Sequence, residues 1–257
     1  MDWALIAGGS KGIGLGIAEA LALRKWNLLL VARNEKDLDA AKSRIENSFS
    51  VQVETLPCDL SREDSSEIIY GWCFRQNAEI KLLCNAAGLG GAKDFPDLSA
   101  EEARLMVRLN FESAVALCYR FLPVLKKNAP AYILNVASMA GFAPFPIKGI
   151  YSATKASLVS FSYSLKNILR KDQISVSCLC PGPVFTKPAI EQETVRQMGA
   201  FGRRMAVDPG RVGELAIRGM LSGKLIIVPG ILARMASFLL RILPWKLTGR
   251  ILSKRQT

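Results

Sequence analysis

The sequence predicts an α/β fold: a single domain built on a doubly wound parallel sheet with helices on both faces. Three observations lead there. Strand-like and helix-like runs alternate along the 257 residues, which is the pattern of βαβ units. The strands read as unbroken apolar runs, as in Leu28-Leu29-Leu30-Val31, and a parallel sheet covered on both faces requires such runs. No stretch rich in Pro, Gly or Ser divides the chain, and its length suffices for one large core.

Taken in order, Asp2 to Ala7 reads as a buried strand and Gly12 to Lys25 as a helix. Asn27 to Ala32 is the apolar second strand, Asn34 to Asn47 a helix, and Val51 to Cys58 alternates like a strand. Ser61 to Asn77 is a weaker helix, with Ser61 and Asp64 spaced as a capping pair. Ile80 to Ala86 is a strand, Ser99 to Lys126 one long helix, Ala131 to Ala137 a strand and Tyr151 to Arg170 a helix. Ile174 to Cys180 follows as a strand. Val184 to Ala206 breaks the rhythm and reads as an excursion over the site. Asp208 to Leu221 resumes as helix and Leu225 to Val228 closes the sheet. Right-handed crossovers then leave few topologies open. Residues 1–230 form the expected catalytic unit, with a lid at about 184–206, and residues 231–257 an amphipathic extension.

Composition excludes whole classes of chemistry. The chain has no histidine, which removes Ser-His-Asp hydrolysis, Cys-His proteolysis and histidine metal sites, and no metal is expected. The six cysteines show no Cys-x-x-Cys pairing and mostly sit in apolar runs, as small buried hydrophobes do. Cys178 and Cys180 alternate with Leu179 and should point to one face. This pattern suits a reduced, cytoplasmic protein. Met1 runs straight into Trp3-Ala4-Leu5-Ile6-Ala7, so no signal peptide is expected. Net charge is +12, and after Glu214 come eight basic residues and no acid. No nucleic-acid module with stacking aromatics accompanies them. Anionic cofactors, acyl carriers or a membrane surface fit better.

Between the first strand and first helix lies Ala7-Gly8-Gly9-Ser10-Lys11-Gly12-Ile13-Gly14. Glycines there allow a tight turn and close approach of a pyrophosphate to the helix N-terminus. The spacing is neither Gly-x-Gly-x-x-Gly nor a P-loop. At the end of the second strand an acid would bind the ribose 2′-hydroxyl of NAD. Arg33 stands there instead, with Lys11 as a second cation, which favours the 2′-phosphate of NADPH. Tyr151 and Lys155 lie at i and i+4, hence on one helix face. A cation beside the phenol should lower its pKa and make it a proton donor near neutral pH. Alone, such a pair arises by chance on many solvated helices. Ser138 upstream and the glycine turn give it context.

On these residues the chain resembles the short-chain dehydrogenase/reductase family over nearly its whole length, and the resemblance implies a Rossmann-type nucleotide fold. Gly8, Gly12 and Gly14 match its turn, with Ala7 replacing the usual threonine. Asp59 matches its adenine-contacting aspartate. Asn85-Ala86-Ala87-Gly88 matches its Asn-Asn-Ala-Gly motif, departing at Ala86, and by resemblance packs beneath the cofactor. Asn110, Ser138, Tyr151 and Lys155 match its tetrad, and Pro181-Gly182-Pro183-Val184 with Thr186 matches the segment flanking the nicotinamide. The resemblance implies that Ser138 bonds the substrate carbonyl, Tyr151 donates a proton, Lys155 lowers the tyrosine pKa and binds the ribose, and Asn110 holds a relay water. A homodimer or homotetramer is expected. The alternative is a catalytically silent NADPH-binding member, or a surface protein whose tail is the function.

Substrate preference must come from loops. Phe142, Phe145, Pro146 and Ile147 follow Ser138, and Phe185, Ile190, Met198, Phe201 and Met205 populate the excursion. They read equally as an apolar pocket under a lid or as ordinary packing. Cys178 to Val184, with the hydrophobic tail, is similar to the branch of long-chain 3-oxoacyl and 3-ketosphinganine reductases. In Ile231 to Leu243 the polar residues Arg234, Ser237 and Arg241 fall on one stripe, and two arginines in so short a run count against a spanning helix. Such a segment suits peripheral contact with a membrane, or docking over the substrate site or a second subunit, which the reading slightly prefers.

Overall fold

The computed structural model describes residues 1–90, 95–145, 148–186, 188–246 and 248, without the side chains of 188–190, 193, 196–198, 200 and 201. Seven parallel strands lie in the order β3-β2-β1-β4-β5-β6-β7. They are β1 Trp3–Ala7, β2 Asn27–Ala32, β3 Val53–Pro57, β4 Ile80–Asn85, β5 Ala131–Val136, β6 Ile174–Leu179 and β7 Ile226–Ile227. The helices are α1 Gly12–Ala22, α2 Glu35–Ser48, α3 Ser65–Arg75, α4 Ala100–Val107, α5 Ser113–Lys127, α6 Gly149–Leu169, α7 Pro188–Met205, α8 Pro209–Leu221 and α9 Ile231–Ile242.

The apolar strands are buried on both faces because their alternate residues serve two different cores. Ala4, Ile6, Leu28 and Leu30 pack against α1, α2 and α8, through Ile17, Leu38, Ile45, Val212 and Ile217. Leu5, Ala7, Leu29 and Val31 face α3 and α5 on the other side, through Ile69, Trp72, Leu117 and Phe121. A third cluster sits at the sheet's C-terminal end, where Met139, Phe142, Cys178, Cys180, Met205 and Ala233 meet. The chain reverses its direction of winding between β1 and β4, and the crevice beyond the strand ends at such a switch point is where these folds bind ligands.

α1 and α8 are in backbone contact. A Cβ on Gly16 would run into the Pro209 carbonyl, and one on Gly213 into the Gly16 carbonyl. Further along, Arg24 forks onto Glu214 with two bonds of 2.8 Å. Asp208 caps α8, its Oδ1 accepting from Gly210 N at 2.8 Å and Arg211 N at 3.2 Å.

Several expected boundaries move. Ser61 does not cap α3; its N–H and hydroxyl both donate to Asp59, and the helix starts at Ser65. The single long helix expected from Ser99 is two. Ser99 and Glu102 form a reciprocal capping box, but a π-helical turn, Arg108–Glu112, separates α4 from α5. There the Ser113 hydroxyl donates to the Leu109 carbonyl at 2.8 Å. The Val184–Ala206 excursion contains a helix, α7, broken at Gly199, whose φ is +57°. The tail also turns over. Ser237 is buried and Arg241 reaches back to the Tyr163 hydroxyl at 3.1 Å, so the face α9 shows to solvent is apolar. Among the described residues no helix is long and apolar enough to cross a membrane.

Candidate active site

The turn after β1, the ends of β2, β4, β5 and β6 and the start of α6 lie at the C-terminal end of the sheet. The turn after β1 comes first. Gly8 and Gly9 donate to the Val31 carbonyl at 2.7 and 3.3 Å, which holds the turn against β2. Gly8 has φ +90°, and a Cβ there would stand 2.5 Å from the Ala87 nitrogen. Gly12 has φ +55°, and a Cβ on it would meet the Thr186 methyl at 2.9 Å. Both positions therefore demand glycine. Ser10, Lys11 and Ile13 complete the turn, and Ile13 packs on the first core. Lys11 occupies the cap position of α1 but no side chain caps that helix. Its leading N–H groups thus face the crevice, an arrangement suited to an anion. The Lys11 ammonium is held 2.7 Å from Asp37.

At the end of β2, Arg33 is exposed and has no hydrogen-bond or ion-pair partner among the described residues. Beside it, burial would raise the Asp59 carboxyl. The two bonds from Ser61, with Arg33 and Arg62 nearby, outweigh that and hold it below its ordinary value.

The Asn85 side chain turns into the sheet, donating to Asn135 Oδ1 at 2.8 Å and Cys118 Sγ at 3.4 Å. Asn135 donates in turn to Ser162 at 2.9 Å, and Ser162 to the Leu158 carbonyl at 2.7 Å. This buried chain ties β4 through β5 to α6. The sequence reading passed over Asn135 and Ser162, although an Asn within Tyr132-Ile133-Leu134-Asn135-Val136 was a visible signal. Ala86 N donates to the Ala7 carbonyl at 2.8 Å, and Gly88 opens the loop beyond.

Asn110 sits in the π-helical turn, which rotates its side chain inward. Its Oδ1 accepts from Leu89 N at 2.7 Å, while Nδ2 donates to the Leu89 carbonyl at 3.0 Å and to Thr154 Oγ1 at 3.2 Å. Gly88 is where Asn110 and Lys155 converge: a Cβ there would lie 3.3 Å from Asn110 Oδ1 and 3.2 Å from Lys155 Nζ. Ser138 follows β5 as the cap of a short 3₁₀ turn, Met139–Phe142. That turn is pressed onto α6 so closely that a Cβ on Gly141 would be 2.8 Å from the Lys155 carbonyl carbon. Met139 N also donates to the Pro181 carbonyl at 3.0 Å. Gly182 lies against Met139, Met205 and Ala233. Val184 is buried, and Thr186 returns to Gly12.

Tyr151 and Lys155 share the first turns of α6, with the ammonium 5.8 Å from the ring centroid. The expected lowering of the tyrosine pKa is not found. Burial raises the phenol, and the neighbouring Ser138 hydroxyl pulls it back only in part. Lys155 is 4% exposed and donates to the Val136 carbonyl at 2.9 Å. Burial pushes it down to about 8, against the opposing influence of Cys178 and Cys180, so it is a weakened cation. The two thiols lie 3.7 Å apart on one face of β6, as their alternation predicts. All six cysteines are buried and unbridged.

Beside Tyr151 a small, mainly apolar cleft is lined by Phe95, Leu98, Met106 and Ile150. Phe142 and Met205 are buried in the third core, which gives them the packing role rather than the wall role; Phe145 and Phe185 are partly buried. Pro146 and Ile147, and the side chains of Ile190, Met198 and Phe201, lie outside the described residues.

Comparison with known proteins agrees with this geometry. The family model described as short chain dehydrogenase matches residues 2–197. The oxidoreductase DltE of Bacillus subtilis (strain 168) is 34% identical over 185 residues, 71% of each chain. The very-long-chain 3-oxoacyl-CoA reductase of Macaca fascicularis is 33% identical over 193 residues, 73% of this chain but only 61% of that one. Among solved structures, a short-chain dehydrogenase from Sphingobium yanoikuyae in complex with NADPH superposes with a TM-score of 0.78 at 28% identity, covering 93% of this chain and 92% of the other. With a seven-stranded sheet in this order and with these relatives, the chain belongs to the short-chain dehydrogenase family of oxidoreductases.

Proposed function

We propose that the protein is an NADPH-dependent carbonyl reductase acting on an apolar or acyl-type ketone. One observation carries the reading: Tyr151 and Lys155 on α6 face Ser138 at the end of β5 and Asn110 beside Gly88, all at the mouth of a crevice whose second strand ends in Arg33. The crevice fits a dinucleotide. Gly8 and Gly12, both at positive φ, let the turn pack closely against Ala87 and Thr186, and the cap residue of α1 makes no side-chain capping bond. In this reading the turn Gly8–Gly14 holds the pyrophosphate, Arg33 and Lys11 the 2′-phosphate, and Asp59 the adenine. Ala86, Gly88 and the segment Pro181–Thr186 flank the nicotinamide.

Bound NADPH would supply the hydride, as cofactors of this class do. The chain's own groups do the rest. Ser138 donates to the substrate carbonyl oxygen and stabilises charge that builds there. Tyr151, kept protonated by its raised pKa, gives its proton to that oxygen. Lys155 binds the ribose hydroxyls and orders the site. Asn110 clamps the loop after β4 through Leu89 and keeps a proton path to solvent beside Lys155. The kinship with a very-long-chain 3-oxoacyl-CoA reductase supports an apolar, acyl-type substrate. Residues 1–230 would be the catalytic unit with a lid near 184–206 and residues 231–257 an extension, in a cytoplasmic homodimer or homotetramer.

NADPH oxidation should be followed across 3-oxoacyl thioesters, 3-ketosphinganine, steroids, sugars and simple aldehydes. Tyr151→Phe is expected to abolish turnover of any substrate found while cofactor binding survives. Retained turnover in that variant would refute the assignment.

A further inference from the structure

The outward face of α9 is unlike the rest of the surface. Ile231, Met235, Phe238 and Ile242 follow one another at helical spacing and are 72%, 63%, 62% and 58% exposed; Trp245, just beyond the helix, is 66% exposed. Elsewhere exposed large apolar residues are scattered. A continuous apolar stripe of this length on a soluble surface marks a site of interaction.

The opposite face of the helix is already used. Ala233 and Ser237 are buried, and Ala236 and Leu240 pack on the third core. Arg241 lies over the Phe142 ring at 5.6 Å, so α9 is fixed to the turn that follows Ser138. Ala233 also abuts Gly182. The stripe is therefore presented rigidly, on a helix braced against two segments of the proposed site.

Charge selects the occupant. The stripe is bordered by the exposed cations Arg234 and Lys246, and no acid occurs in the sequence after Glu214. A second copy docked about a two-fold axis would set these cations against themselves with no carboxylate on the segment to relieve them. An anionic bilayer complements both the apolar stripe and its basic border. We infer that α9 is an interfacial helix that seats the protein on an anionic lipid surface, with Ile231, Met235, Phe238, Ile242 and Trp245 entering the headgroup layer.

Co-sedimentation of the full chain with vesicles tests this without any turnover, so its failure would leave the reductase reading standing. Vesicles of phosphatidylcholine with about a quarter phosphatidylglycerol should bind the protein, and phosphatidylcholine alone much more weakly. Met235→Asp with Phe238→Asp should weaken that binding by roughly tenfold or more, at an unchanged thermal midpoint because both side chains are exposed. Arg234→Gln with Lys246→Gln should weaken it by roughly tenfold, and more so relative to wild type at low salt. Absence of wild-type binding to the anionic vesicles would overturn the inference, as would binding that both double variants leave intact. Conversion of a dimer into monomers by the aspartates, read by sedimentation velocity, would assign the face to a second copy instead and overturn it equally.

Discussion

Lys155→Met should stabilise the protein at neutral pH while destroying its activity. The wild-type ammonium is buried and donates to one main-chain carbonyl, with no carboxylate beside it among the described residues. Its pKa falls from 10.5 to about 8, which corresponds to roughly 3 kcal/mol of native-state cost while the charge is carried. The sign follows from proton counting. Below about 8 the lysine is charged in the folded and unfolded chains alike, and the cost is fully present. Between about 8 and 10.5 only the unfolded chain holds the proton, so wild-type stability rises with pH. Methionine has a similar length and no charge, but it strands the Val136 carbonyl at a loss of about 1–2 kcal/mol. The net gain near neutrality is roughly 1–2 kcal/mol, or about 2–6 °C in midpoint for a chain of this size. Urea denaturation followed by circular dichroism, near neutrality and again near pH 10, measures both ends. The advantage of Lys155→Met should shrink or reverse at the alkaline end, where the wild type has shed its proton. A variant less stable than wild type at neutral pH, or an advantage that ignores pH, would refute the reasoning.

Other perturbations test separate parts of the molecule. Arg33→Asp should lower the preference for NADPH over NADH by roughly 10–100-fold, the worth of a charge-assisted phosphate contact; an unchanged ratio of kcat/KM values would remove Arg33 from the 2′-phosphate site. Gly213→Ala puts a methyl into the Gly16 carbonyl and should cost about 1–3 kcal/mol, read as a lower thermal midpoint. Asn135→Leu leaves the Asn85 amide and the Ser162 hydroxyl without each other's bridge, at a cost of about 1–3 kcal/mol. An unaltered urea midpoint would show the chain to be dispensable.

The layered fold was legible because its signals are local and strong. Asn27–Ala32 is a continuous apolar run and is found as β2 at those limits; Asn34, expected to open the next helix, caps it through its side chain at 2.9 Å. The candidate site residues came from the resemblance to the short-chain dehydrogenase/reductase family, not from the alternation. What stayed hidden depends on contacts distant in sequence. Nothing local announces the π-helical turn at Arg108–Glu112, since its reward is the bonding of Asn110 to Leu89 and Thr154. Ser61 has the spacing of a cap but finds Asp59 first. The effect of Lys155 on Tyr151 looked like a pairwise matter. Burial, a property of the whole site, decides it. In the tail, sequence alone could not say which side of α9 would be spent on the core, and the apolar side turned out to be the free one.

The backbone seam between α1 and α8 limits how this protein can be recombined. The family match ends at residue 197, yet α8, at Pro209–Leu221, is what α1 leans on at Gly16 and what the turn after α1 meets through Arg24. A chimera joined after Ala206, made to borrow a relative's substrate preference, would import a new α8. Unless the donor also carries glycine opposite Gly16, its first defect should appear at the start of α1, one turn away, where the proposed dinucleotide site lies. On the proposed assignment, substrate choice and cofactor grip are inherited together, through two glycines packed against the opposite helix.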